Sequence, residues 1–159
     1  MRTRGGLWIT ELRRRSQPFT LSRAAELGIP ARVLDGARFA RPWPGVRVVR
    51  DHPDTLLERC RAAHLILPPS AVFSHGTALH LGGWDVPWQP EGKRLRYAAP
   101  EPGPDAAIHV SVPPGTARPH GKGVVGHAFT PLEDDVIQRE GLRITSPWCS
   151  WRLVYLNRR

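Results

Sequence analysis

Leu7, Trp8 and Leu12 fall on one face of a short amphipathic stretch over residues 7–15, which follows Gly5-Gly6 and ends at Ser16-Gln17-Pro18. Thr20 stands where a helix N-cap is needed, with Phe19 placed to staple against the first turn. The pattern predicts a helix over residues 21–27, closed by Gly28, which tolerates the left-handed conformation that ends a helix. Pro30 suits the first turn of a second helix running to about Arg38, weakened near its end by Gly36. Ala24 and Ala25 are small where the two helices cross, and Leu27, Ile29 and Leu34 are apolar where they bury a shared face. Arg23, Arg32, Asp35 and Arg38 remain outside. Pro42, Pro44 and Gly45 then force a turn, after which residues 46–49 read as a strand. Helix, glycine turn, helix and hairpin is the order of a winged helix-turn-helix.

The remaining pattern is mixed. Asp51-His52-Pro53-Asp54 reads as a linker, and Thr55 caps a helix over residues 56–67 that Pro68-Pro69 stops. A further helix is expected over residues 74–82, then irregular chain to Pro90 and a surface loop over residues 91–106, rich in proline, glycine and charge. Two strands, over residues 108–112 and 124–129, flank Pro113-Pro114-Gly115 and a basic loop. They are expected to form a β-hairpin with Arg118, His120 and Lys122 at its tip. Residues 143–145 make a last short strand. No internal repeat is visible. The expected fold class is therefore α+β, with a winged helix-turn-helix DNA-binding domain over residues 1–52, a small mixed α/β domain with a β-hairpin over residues 53–147, and a separate tail over residues 148–159.

Charge sharpens this picture. Residues 1–50 hold 11 Arg against 3 acidic residues (+8), whereas residues 51–159 hold 12 Lys and Arg against 11 acidic residues (+1). A basic helical unit beside a nearly neutral body is the electrostatic footprint of a nucleic-acid reader. The basic residues are 21 Arg and 2 Lys. The guanidinium fork grips phosphate and guanine edges with two hydrogen bonds, although GC-rich coding would produce the same bias. The expected DNA-binding residues are Arg32 and Arg38 for base readout, Arg23, Arg41 and Arg47 on phosphate, and Thr20 at a helix N-terminus for a further phosphate contact. Cys60 and Cys149 are too few for a disulfide framework. No signal-peptide layout and no apolar run of about 18 residues exists, so a cytoplasmic protein without membrane association is expected.

Other residue clusters carry no clear chemical signature. Cys60 and His64 at i,i+4 spacing, with His75 and His80, lack the paired signatures of a zinc site and are expected as ordinary packed side chains. Glu133-Asp134-Asp135 reads as a solvated turn or helix N-terminus rather than a Mg²⁺ site. Gly121-Lys122-Gly123 fails the P-loop pattern, because Gly115 is one residue too far back and Gly123 takes the hydroxyl position. Ser70 and Ser74-His75 give no nucleophile elbow. No catalytic residue, metal ligand or cofactor is expected.

A series of segments resembles the AbiEi-like antitoxin family, transcriptional regulators of type IV toxin–antitoxin (abortive infection) systems. They are Pro18-Phe19-Thr20, Ala24-Ala25, Leu27-Gly28-Ile29, Arg41-Pro42-Trp43-Pro44-Gly45-Val46-Arg47-Val48, the run from Leu67-Pro68-Pro69 through Ser74-His75-Gly76-Thr77-Ala78, His109-Val110-Ser111-Val112-Pro113 and Gly141-Leu142-Arg143-Ile144-Thr145-Ser146-Pro147. The resemblance covers about residues 15–147, with short motifs in family-like order. It implies an N-terminal winged helix that binds operator DNA, an antitoxin domain, and a nucleotidyltransferase-like toxin as partner. Longer proteins with this front half continue into a Vsr-like endonuclease domain, so the alternative is the non-catalytic targeting half of such a nuclease. After Pro147 the family pattern continues Ala-Arg-Thr-Leu-x-Asp-Leu-Ala. This chain instead reads Trp148-Cys149-Ser150-Trp151-Arg152-Leu153-Val154-Tyr155-Leu156 and ends three residues later, which raises the expectation of a truncated relative or remnant.

Overall fold

The computed structural model describes residues 17–85 and 107–156. The chain has an α+β fold in two compact units, residues 1–66 and 67–159. The expected amphipathic stretch over residues 7–15 and the loop over residues 91–106 lie outside the described residues.

In the first unit, β1 (Phe19–Thr20) leads directly into α1 (Leu21–Glu26). The Thr20 hydroxyl accepts the Arg23 N–H at 3.2 Å, so the cap read from sequence is formed. Gly28 has φ +69°, its N–H donates to the Ala25 carbonyl, and the Ile29 N–H donates to the Ala24 carbonyl, both at 2.9 Å. That pair of bonds is the Schellman closure, and it drops Ile29 onto Ala24 in the core.

The second helix, α2 (Ala31–Leu34), is only one turn long and ends well before Arg38. Gly36 and the turn around it carry the chain into β2 (Phe39–Ala40), and Arg38 sits in that turn rather than on a helix. The strand β3 (Val46–Val49) pairs antiparallel with both β1 and β2, giving the sheet order β1-β3-β2. Phe19, Ala24, Ile29, Leu34 and Phe39 form the core, with Phe19 and Phe39 edge to face at 5.9 Å.

The next helix, α3 (Leu56–His64), is capped by Thr55 and ends three residues before Leu67, earlier than expected. It belongs to the first unit rather than to the second domain in which the sequence reading placed it. The Trp43 indole N–H donates to the Arg59 carbonyl at 3.0 Å, tying this helix to the turn before β3.

The second unit is built on a six-stranded sheet of order β6-β7-β5-β4-β9-β8. Its strands are β4 (Val72–Phe73), β5 (Ile108–Val112), β6 (His120–Gly121), β7 (Val124–Ala128), β8 (Val136–Arg139) and β9 (Leu142–Thr145). The expected hairpin between residues 108–112 and 124–129 is not formed: β5 and β7 run parallel, and it is the short β6 that turns back onto β7. A parallel partner cannot be reached by a tight turn, so the intervening residues cross over to bring β7 back alongside β5. The unexpected strand β8 joins β9 through Glu140 (φ +51°) and Gly141 (φ +78°), the two positive-φ positions of a two-residue hairpin turn.

Among the described residues, two helices complete this unit. α4 (His75–Gly82) matches the sequence expectation to within one residue, and α5 (Pro147–Leu156) takes up residues expected to form a separate tail. Leu79 of α4 packs on Val154 of α5, with Trp84 and Tyr155 beside them. Glu133–Asp135 forms a single 3-10 turn at the surface. Among the described residues, no helix is long and apolar enough to cross a membrane.

Candidate functional site

Two groups of side chains stand out, one in each unit. In the first unit the expected DNA-binding residues divide by what holds them. Thr20 is engaged as the cap of α1 and also shares a hydrogen bond with the Ser22 hydroxyl at 2.9 Å. Arg23, Arg32, Arg38 and Arg41 are all exposed. The ion pairs of Arg23 with Glu26 (2.6 Å) and Arg41 with Asp35 (2.7 Å) are solvent-exposed. Such pairs are worth at most about 1 kcal/mol, so an incoming phosphate can displace either acid. Arg32 lies on the single turn of α2, three residues before Asp35.

Arg47 departs from the expectation. It is buried at 7% exposure, its Nε–H donates to the Leu34 carbonyl at 3.2 Å, its Nη1 donates to the Val46 carbonyl at 3.1 Å, and its Nη2 reaches Asp35 at 3.3 Å. Its guanidinium clamps α2 to β3 and does not face outward. The reason is register: Arg47 pairs with Phe19 across the β1–β3 ladder and is turned toward the end of α2. Arg50 does similar work at the surface, donating to the Ala37 and Phe39 carbonyls.

In the second unit three histidines converge. His109 lies on β5 and His127 on β7, and in the parallel register Ser111 stands opposite His127. Side chains two apart share a face, so His109, Ser111 and His127 point to one side of the sheet. His75, the first residue of α4, reaches the same place from above: its ring stacks on His127 at a centroid distance of 3.8 Å and lies 5.7 Å from His109. His109 Nδ1 and His127 Nε2 share a hydrogen bond of 3.0 Å. One nitrogen from each of the three rings falls within 4.8 Å of the others.

The cluster is held from behind by hydroxyls. Ser111 donates to the Ser74 hydroxyl at 2.7 Å, and Ser74 in turn shares a 2.9 Å hydrogen bond with His75 Nδ1. The Thr77 hydroxyl accepts the His109 backbone N–H at 2.8 Å. His75 is fully buried and has φ +54°, a conformation uncommon for a residue with a side chain. Burial, reinforced by the neighbouring rings of His127 and His109, holds the His75 imidazole down to about 3. Burial and then His127 hold His109 down to about 4, and burial with the nearby Arg118 guanidinium lowers His127. All three rings are neutral at pH 7.

Of the four side chains raised from sequence, Cys60 and His64 lie on α3 of the first unit and His75 and His80 on α4 of the second, and Cys60 is a fully buried thiol whose ionisation burial suppresses. His109 and His127 were missed because no short spacing links them to His75, from which they lie 34 and 52 positions away. The one available signal was that His109 and His127 are polar side chains within largely apolar strands. No protein-family model matches this chain, and neither does any curated protein.

Proposed function

We propose that the chain is a transcriptional regulator whose first unit reads double-stranded DNA, acting in the cytoplasm as the antitoxin of a type IV toxin–antitoxin system. The observation that carries the DNA-binding part is the pairing of fold and charge. A helix, glycine turn, helix and β-hairpin with a three-stranded sheet carries the exposed Arg23, Arg32, Arg38 and Arg41, and residues 1–50 hold most of the chain's positive surplus. Arg32, on the α2 turn, is the residue offered to base edges. Arg23, Arg38 and Arg41 supply phosphate contacts, and Arg47 has no direct role. The antitoxin part, with a nucleotidyltransferase-like toxin as partner, rests on the ordered motifs that resemble the AbiEi-like family.

The test is fluorescence-anisotropy titration of the full chain with the duplex upstream of its own gene and with a scrambled duplex, at two salt concentrations. Preference for the native duplex is expected, reduced by roughly 1–3 kcal/mol in Arg32→Ala. Arg38→Ala or Arg41→Ala is expected to weaken binding to both duplexes and to flatten the salt dependence by about one unit of slope. Equal affinity for both duplexes, unaffected by Arg32→Ala, would reject sequence-specific regulation.

A further inference from the structure

We propose that His75, His109 and His127 are the ligands of a divalent transition-metal ion, zinc above all, bound through three imidazole nitrogens with a fourth position left for water or an exchangeable ligand. This inference is independent of the DNA-binding reading and concerns the other unit.

The geometry is close to what such an ion requires. Imidazole nitrogens bound tetrahedrally to zinc at about 2.0–2.1 Å stand roughly 3.3 Å apart. His109 Nδ1 and His127 Nε2 are already 3.0 Å apart, and the three-nitrogen set spans no more than 4.8 Å. Because the His75 and His127 rings are stacked at 3.8 Å, they must turn to aim all three nitrogens at one point. An all-imidazole donor set favours zinc, copper or nickel over magnesium or calcium, which take oxygen ligands.

The surroundings fit as well. Metal-binding histidines use the second ring nitrogen to donate to a fixed acceptor, which sets the tautomer and the ring's aim. Ser74 can accept from His75 Nδ1 while also accepting from Ser111, so His75 would bind the metal through Nε2 with Ser74 as its positioning residue. His75 is fully buried, whereas His109 and His127 are half-buried, so the open position lies on the His109–His127 side.

The test uses the full chain stripped with a chelator, then titrated with Zn²⁺ against a chromogenic competitor and, separately, with Co²⁺ monitored by visible absorption. One ion per chain is expected, with the ligand-field bands of a four-coordinate cobalt site. His109→Ala and His127→Ala are expected to abolish saturable binding, Ser74→Ala to weaken it about 10- to 100-fold, and His64→Ala and His120→Ala to leave it unchanged. Circular dichroism of each metal-free variant separates lost ligands from lost folding. Should the alanine variants fail to fold, the imidazole ¹⁵N resonances of the wild-type chain decide the matter: Zn²⁺ must shift those of His75, His109 and His127 together. Absence of saturable binding by the wild-type chain overturns the proposal, as does binding that survives both ligand substitutions or shifts other histidines instead.

Discussion

Arg47 is where a surface role and a structural role make opposite demands. Arg47→Met keeps most of the apolar stem and removes the guanidinium, leaving the Leu34 and Val46 carbonyls without their side-chain donors at 3.2 and 3.1 Å. A hydrogen bond to a charged group contributes about 1.5–3 kcal/mol, and part is recovered where water reaches the freed carbonyls, so a net loss of roughly 2–3 kcal/mol is expected. The Asp35 contact adds little, since Asp35 is 55% exposed. For a unit of this size each kcal/mol moves the midpoint by about 4–8 °C, so the first unit should melt roughly 10–20 °C lower. Hydrogen exchange read by mass spectrometry on peptides covering β2 and β3 localises the effect, with Arg38→Ala as the control that stays within about 0.5 kcal/mol. Unchanged exchange and melting in Arg47→Met, together with weaker DNA binding and a salt slope reduced by about 0.9, would put the guanidinium on phosphate and refute the clamp.

Further outcomes follow from other contacts. Thr55→Ala removes the hydroxyl that accepts the Glu58 N–H at 3.2 Å and should destabilise the first unit by about 1 kcal/mol in urea titrations. A Cβ at Gly126 would run into the Pro119 carbonyl oxygen, which is backbone and cannot rotate away. Gly126→Ala should therefore cost about 1–3 kcal/mol in thermal melts, while Gly115→Ala meets no neighbouring atom and suffers only backbone strain. Burial and then Asp135 push the Cys149 thiol up to about 11, and burial raises Cys60 further. Neither should react with a disulfide reagent at pH 8 until the chain is unfolded, and stoichiometric labelling of the native protein would contradict that burial. With chelator present, the depressed His75 and His109 values make the unfolded chain bind more protons below its ordinary histidine pKa of about 6.5. Stability of the second unit should be flat above that pH and fall as the pH drops from about 6.5 toward 4. A flat melting profile across this window would show that the rings are not held neutral.

The first unit was legible because its signals are local. Thr20, Gly28 and Gly45 each act within a few residues, through a cap, a left-handed helix end and a turn, and all three do so in the folded chain. The length of α2 was not legible, since helical spacing at Ile29, Val33 and Leu34 suits one turn or two. The fate of Arg47 was hidden for another reason. Strand alternation says which face a residue takes, but which face is covered depends on pairing with β1 and on the end of α2. The same limit applies to β5 and β7. Their residues were identified as strands, yet a parallel register places His127 beside Ser111, where an antiparallel hairpin would have set different residues opposite.

That register explains why the histidine cluster escaped a reading by spacing. His75 comes from a helix start, His109 and His127 from two strands that become neighbours only through a crossover, and no interval of three or four residues announces them. The cluster also runs against the rules that build a stable core. Three imidazoles are packed where apolar side chains would bury without a desolvation cost, and one of them holds a positive φ that a β-carbon resists. Ser74 and Ser111 then spend buried hydroxyls on orienting His75 rather than on any secondary structure. Where local preference, packing and polarity all disagree with the structure adopted, the arrangement is expected to be held for something other than stability. In this unit that disagreement is concentrated on the three nitrogens to which the metal is assigned.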